Sequence, residues 1–250
     1  MLARMLAALA LVAVALGAAL AVLPARWLIR MLPASWPVAV IDASGSVWNG
    51  SALVALGPPG ARTTLPQPVS WQTGWQGGLR MQLRHPWLGC TLGLRPTLGG
   101  LGISPCTLRL PAAALAAVGA PLNTVQPAGQ LALRWPGLQL RTDGAVPDGE
   151  LLTLDWTEAG SALSRVRPLG HYRVVLNGSG GNTVNVTLTT VEGALVMQGS
   201  GSFTQRTGLR FKGTAAPAPD APPQTQAGLQ AMLSAIGRRS GNDTLLQIGR

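Results

Sequence analysis

The chain has 250 residues, 47% of them hydrophobic and only 11% charged, so it can bury a sizeable core and is not disordered as a whole. Its 32 glycines and 20 prolines favour many short turns over long helices. The formal charge of +10 comes from arginines dispersed along the chain, with Lys212 the lone lysine, and the lack of long basic runs or clustered aromatics argues against a nucleic-acid groove.

Met5 to Ala25, MLAALALVAVALGAALAVLPA, is an uncharged run of 21 residues flanked by Arg4 and Arg26. At about 1.5 Å per residue such a run matches a hydrocarbon core of roughly 30 Å. We expect a transmembrane helix over 5–25, with residues 1–4 in the cytoplasm. A cleaved signal peptide is the alternative, because Ala19-Leu20-Ala21 is an acceptable small-x-small site. The apolar run continues past that site to Leu23, and Trp27 with Arg26 and Arg30 has the composition of an interfacial anchor.

Beyond the run, GSVWNG (Gly45–Gly50) reads as a hairpin corner in which the glycines bend the chain and Trp48 covers the end of a sheet. Trp71 and Trp75, in SWQTGWQGGL, repeat the association of tryptophan, amide and glycine. Trp48, Gly50, Trp71 and Trp75 are therefore candidate structural or contact residues. They suit end caps of a β core better than a ligand platform.

Apolar and polar residues then alternate with period two in LRMQLR, QLALRW, LLTLDW, HYRVVLN, TVNVTL and GLRFKG, with turn signals such as Asp143-Gly144 and Asn177-Gly178 between them. This predicts a mainly β fold: an antiparallel β-meander following the transmembrane helix, with a short helix near the C-terminus. Within it, Pro111 to Val118 can form a two-turn helix with proline at its first position. The domain reading is a β domain over 26–213, an exposed Pro/Ala-rich linker over 214–226, and a helix and terminal strand over 227–250, with Leu229, Met232, Leu233 and Ile236 on one helical face. If the strands pair in order, Arg80, Arg84, Arg134, Arg173, Arg210 and Lys212 gather on the polar side as a candidate basic face, unless they merely solvate it. The apolar side is either an ordinary core or a groove for acyl chains.

Cys90 and Cys106 are the only cysteines, in the matching contexts GCTLGL and PCTLRL on either side of LRPTLGGLG. The two segments could pair as a hairpin with facing thiols. A disulfide across such a loop contributes about 3 kcal/mol in the chain-entropy model and needs an oxidising compartment, which places the body in a periplasm. Two buried free thiols are the other reading.

No catalytic constellation emerges. There is no nucleophile elbow, no phosphate-binding Gly-Lys loop and no histidine pair at metal-ligand spacing, and His85 and His171 stand alone. Five of the nine acids, Asp143, Asp148, Glu150, Asp155 and Glu158, fall within 16 residues, but Asp143-Gly144 and Asp148-Gly149 read as turns and Asp155 alternates outward. We expect no enzyme, no metal and no cofactor.

An apolar run, then GSVWNGSA, VSWQTGWQGGLRMQLRHPWLG, SALSRVRPLGHYRV, TLTTVEGALVMQGSGSF, GLRFKGTAAP and a helix ending in GRRSGNDTLLQI follow in order over nearly the whole chain. This ordered set resembles the protein N family of the bacterial type II secretion system. It is similar, more distantly, to AsmA-type envelope proteins, whose elongated sheets are associated with lipid handling. The first resemblance implies a single-pass inner-membrane protein with a periplasmic body, accessory to export of folded proteins across the outer membrane. It also implies partners among the inner-membrane platform components or the secretin, contacted through sheet edges or the anchor. The second resemblance implies a possible lipid ligand.

Overall fold

A computed structural model describes residues 11, 22–26, 38–57, 62–75, 77–118, 122–241 and 243–249. Most of the expected span at 5–25 lies outside them; its described end, Leu23–Ala25, is not helical but pairs with the β1–β2 corner, which corrects the C-terminal bound of that span, and among the described residues no helix is long and apolar enough to cross a membrane. The chain divides into two compact units, 1–85 and 86–250.

In the first unit, strands β1 (Val38–Gly45), β2 (Asn49–Leu56), β3 (Thr63–Thr64), β4 (Val69–Trp75) and β5 (Leu79–Arg84) pair in the order β1-β2-β4-β5, with β3 also on β2. GSVWNG forms the β1–β2 corner: Gly45 opposes Gly50, and Gly45 takes a positive φ of +84° that glycine adopts without strain. The alternation of Trp71 with Gln72 and of Leu83 with Gln82 turns one side inward, where Ala25, Ala52 and Trp71 form a small core with Val40, Ala43, Met81 and Leu83.

The second unit opens with β6 (Leu92–Thr97) and β7 (Gly100–Ile103), paired as a hairpin. There follow β8 (Cys106–Pro111), a 3₁₀ helix (Ala112–Val118), the single-turn α1 (Leu122–Val125), β9 (Pro127–Trp135), β10 (Leu138–Arg141) and β11 (Gly149–Ser161). The chain continues through β12 (Gly170–Gly178), β13 (Thr183–Glu192), β14 (Leu195–Thr204), β15 (Gly208–Pro217), α2 (Pro223–Ile236), β16 (Arg238–Ser240) and β17 (Asp243–Ile248). Nine strands make one sheet in the order β16-β17-β15-β14-β13-β12-β11-β9-β8.

The strand pairings described above are antiparallel, in keeping with the alternating sequence, but the meander is interrupted. Strand β10 leaves the large sheet to pair with β7, so β11 lies beside β9.

Two local expectations differ from the structure. Pro111 is the last residue of β8, facing Gln130, and not a helix start; the alanines after it wind as 3₁₀, consistent with a segment too short to repay α-helix nucleation. The stretch 214–226 is not one linker. Thr214–Pro217 complete β15 between β14 and β17, Pro217 closing the strand where the ladder ends, and α2 begins at Pro223, a position where a missing N–H costs nothing.

Register puts Leu133, Leu154, Val174 and Leu188 in one cross-strand row and Leu131, Trp156 and Tyr172 in the next. Helix α2 packs Leu229, Met232 and Leu233 over Tyr172, Leu195 and Ala215 on this apolar face, while Ala112 covers Leu110 and Leu131. Tyr172 and Trp156 meet with ring centroids 5.8 Å apart and planes tilted by 52°. The buried Tyr172 hydroxyl donates to the Leu195 carbonyl at 2.9 Å, and burial pushes its pKa well above the ordinary tyrosine value. Further along the face, Gly199 and Gly213 leave room for Phe211: a Cβ on Gly199 would sit 2.5 Å from its ring.

Candidate functional site

The tryptophan constellation resolves into three different environments at one end of the first sheet. Trp71 is the buried member, its indole N–H donating to the carbonyls of Ser46 (3.2 Å) and Val47 (3.1 Å), so it ties β4 to the β1–β2 corner. Gly50 faces it, because any larger residue would collide with the Trp71 ring and the Ser44 carbonyl. Trp48 is 38% exposed and Trp75 78% exposed. Trp48 is part-exposed at the corner, and a buried capping contact is made from β4 by Trp71, whose position opposite a glycine gives the ring its space.

Trp48, Asn49, Gln72, Arg80 and Gln82 line an open cleft of about 450 Å³ in this sheet. The remaining arginine of the first unit on the candidate basic face, Arg84, lies at the other end of β5.

In the large sheet, Arg134, Arg173, Arg210 and Lys212 share the polar side, as period two requires. They do not form one continuous positive field. Asp155 stands directly opposite Arg173 and diagonal to Arg134, and it pairs with both: Arg173 Nε to Asp155 Oδ1 is 2.7 Å, and Arg134 Nη2 contacts Asp155 Oδ2. The carboxylate is only 13% exposed, against 52% and 47% for the two arginines. Arg210 and Lys212, on β15, instead line an open depression of about 560 Å³ with Asn185, Thr187, Ser200 and Gln247. Pairing across strands is what sequence reasoning missed here; the outward alternation of Asp155 was the available signal, but its partners depend on register.

The other acids act locally. Asp143 accepts from Arg141 Nη2 at 2.6 Å and from the Ala145 N–H at 3.0 Å, and the Arg141 hydrogen bond chiefly holds its carboxyl down at about 2. Glu150 accepts from the Thr153 hydroxyl at 2.8 Å, and His171 Nδ1 lies 3.0 Å from Glu192. Among the described residues no group of three His, Cys, Asp or Glu side chains is placed to hold a metal.

Cys90 and Cys106 are joined by a disulfide, with Cα atoms 5.7 Å apart. Their setting differs from a simple hairpin. LRPTLGGLG makes the β6–β7 hairpin by itself, while the residues before Cys90 run along β8: Gly89 N–H donates to Thr107 O at 2.8 Å, Arg109 N–H to Trp87 O at 2.7 Å, and Leu88 bridges Leu108.

Buried tryptophan, clasped carboxylate and cystine all hold strands together, and the exposed groups form surfaces. A family model described as type II secretion system (T2SS), protein N, matches residues 37–245. The chain belongs to that family. The match begins at β1 and runs into β17, so both units of this protein N family member fall within it. Membership makes the chain a component of the type II secretion system, a protein-transport assembly. No curated protein and no solved structure matches it significantly.

Proposed function

We propose that this chain is a non-enzymatic accessory component of the type II secretion system at the inner membrane, supporting the passage of folded proteins from the periplasm across the outer membrane. In this reading residues 1–4 are cytoplasmic, the apolar run from Met5 to Val22 spans the membrane, and the two β units, the first of them taking up Leu23–Ala25, lie in the periplasm, where a cystine is compatible with the redox state. Its partners are other secretion components, of the inner-membrane platform or the secretin. The observation that carries the reading is the family match across 37–245, which runs from β1 into β17.

Deleting the protein tests it. Secreted substrates should then accumulate, folded, in the periplasm while export across the inner membrane continues, and His171→Ala in the complemented strain should secrete normally. Unchanged secretion on deletion refutes the role, and a His171→Ala variant that is stable yet inactive refutes the non-enzymatic reading.

A lipid-binding or lipid-transfer role is the second reading. It is favoured by Phe203, Leu209 and Ile248, which lie on the apolar side of the large sheet and remain exposed. Lipid retained by the purified chain, together with altered outer-membrane permeability and normal secretion on deletion, would select it.

A further inference from the structure

The apolar run does not end on a free tether. Its last residues are built into the first sheet. The Ala25 N–H donates to Gly45 O at 3.0 Å, the Val47 N–H donates to Leu23 O at 2.9 Å, and Pro24 bridges Ser46. Ala25 is 1% exposed and packs in the cluster that contains Ala52 and Trp71. The β1–β2 corner is thus fixed to the point at which the run from Met5 to Ala25 stops.

The same end of the sheet carries its exposed aromatic groups. The Thr73 N–H donates to Trp48 O at 2.6 Å, which sets the Trp48 corner beside the last residues of β4, and Trp75 opposes Leu79 at the β4–β5 tip, both exposed. Arg80, opposite Gly74, reaches the cleft that Trp48 borders; the residues lining that cleft are amides, a hydroxyl, the indole and the guanidinium, with no carboxylate among them. Indole rings favour the boundary between acyl chains and headgroups, having an apolar body and one N–H donor, and a guanidinium presents a fork of donors to phosphate.

We propose that this end of the first sheet docks on the membrane that holds the apolar run ahead of Leu23, with Trp48, Trp75 and Leu79 in the headgroup layer and Arg80 bound to a phospholipid phosphate in the Trp48 cleft. The proposal rests on the anchored reading given above. Its geometry limits the contact to one end: β2 rises away from Asn49 to Leu56 by roughly 23 Å at ~3.3 Å per residue, whereas an interfacial segment enters a bilayer by only about 5–10 Å. Thr64, exposed beside Ala55 at the far end, stays in water.

The test uses the full chain, oxidised so that Cys90 and Cys106 do not react, in phosphatidylglycerol and phosphatidylethanolamine nanodiscs. Trp48→Cys, Trp75→Cys and Thr64→Cys are each labelled with an environment-sensitive maleimide dye. Labels at 48 and 75 should emit to the blue, resist iodide quenching several-fold and be quenched by nitroxides on lipid headgroups. A label at 64 should be open to iodide and blind to the nitroxide. Labels at 75 and 64 that are equally accessible, in a chain retained after carbonate extraction, overturn the docking and leave the anchor intact. Release of the chain by carbonate overturns the anchor and the docking with it. For the phosphate contact, Arg80→Gln should lower protection at 48 in these discs and have no effect in phosphate-free galactolipid discs. Equal protection of the unsubstituted arginine chain at 48 in both lipids refutes that part.

Discussion

The ring of Trp71 fills the space that a side chain at Gly50 would need: a Cβ there would lie 2.6 Å from Trp71 Cζ2 and 2.6 Å from the Ser44 carbonyl oxygen. The contact is backbone on one side and a buried, doubly hydrogen-bonded indole on the other, so neither can yield cheaply. Trp71→Ala should lower stability by about 3–5 kcal/mol, and Gly50→Ala by about 1–3 kcal/mol through overpacking. Trp48→Ala, at a ring already part-exposed, should cost markedly less than Trp71→Ala. Urea denaturation of the three variants checks the order, and a Trp48 effect equal to that of Trp71 would contradict the assignment of the cap to β4.

Asp155 bears on the charge of the large sheet. Asp155→Ala leaves Arg134 and Arg173 facing one another across it. Because both arginines are about half exposed, solvent screens most of the gain and the loss should be about 1 kcal/mol. Raising salt to about 1 M, where charges are screened beyond roughly 3 Å, should return part of it. Melting temperatures at low and high salt decide this; a salt-independent loss would mean that packing, not charge, is what Asp155 supplies.

The disulfide joins positions 16 residues apart. Its reduction should cost about 3 kcal/mol in the chain-entropy model. Maleimide should label neither thiol in the oxidised chain and both after reduction under denaturing conditions. Labelling of both thiols before reduction would rule the cystine out.

Asp143 provides a pH signature. Its carboxyl is held at about 2, below the ordinary aspartate value near 3.9, so the Arg141 contact contributes fully above that ordinary value and is lost as pH falls toward 2. An NMR titration should find the depressed pKa in the native chain and a value in the ordinary range in Arg141→Gln.

Strand content was legible because alternation in LRMQLR or TVNVTL admits no helical face, and the corner at GSVWNG because Gly45 and Gly50 flank it. Whatever depended on which strand neighbours which was not. Trp48 and Trp71 look alike in sequence, but only the register of β2 on β4 puts Trp71 opposite a glycine. The departure of β10 to β7 has no local signal in LQLR, whose alternation suits either sheet. Register puts Arg134, Arg173, Arg210 and Lys212 on one side of the large sheet, yet charge depends on neighbours as well as sides, and Asp155 lies between two of them. The linker was misread because TAAP is as compatible with an edge-limited strand end as with a loop, and the difference is made by the partners Gln198 and Leu245.

The large sheet has little free rim. At one end the hydrogen-bonding positions of β8 are occupied by Trp87 and Gly89, and the cystine fixes that covering in place. At the other, the three-residue β16, with Arg238 and Arg239, shields the first half of β17 and leaves only the short stretch 246–248 beyond it. Long bare rims are where sheets from separate molecules stack into fibrils, and short, charged or covered ones resist it. A nine-stranded sheet finished in this way resists edge-to-edge polymerisation and leaves its faces and its turns as the surfaces open to contact.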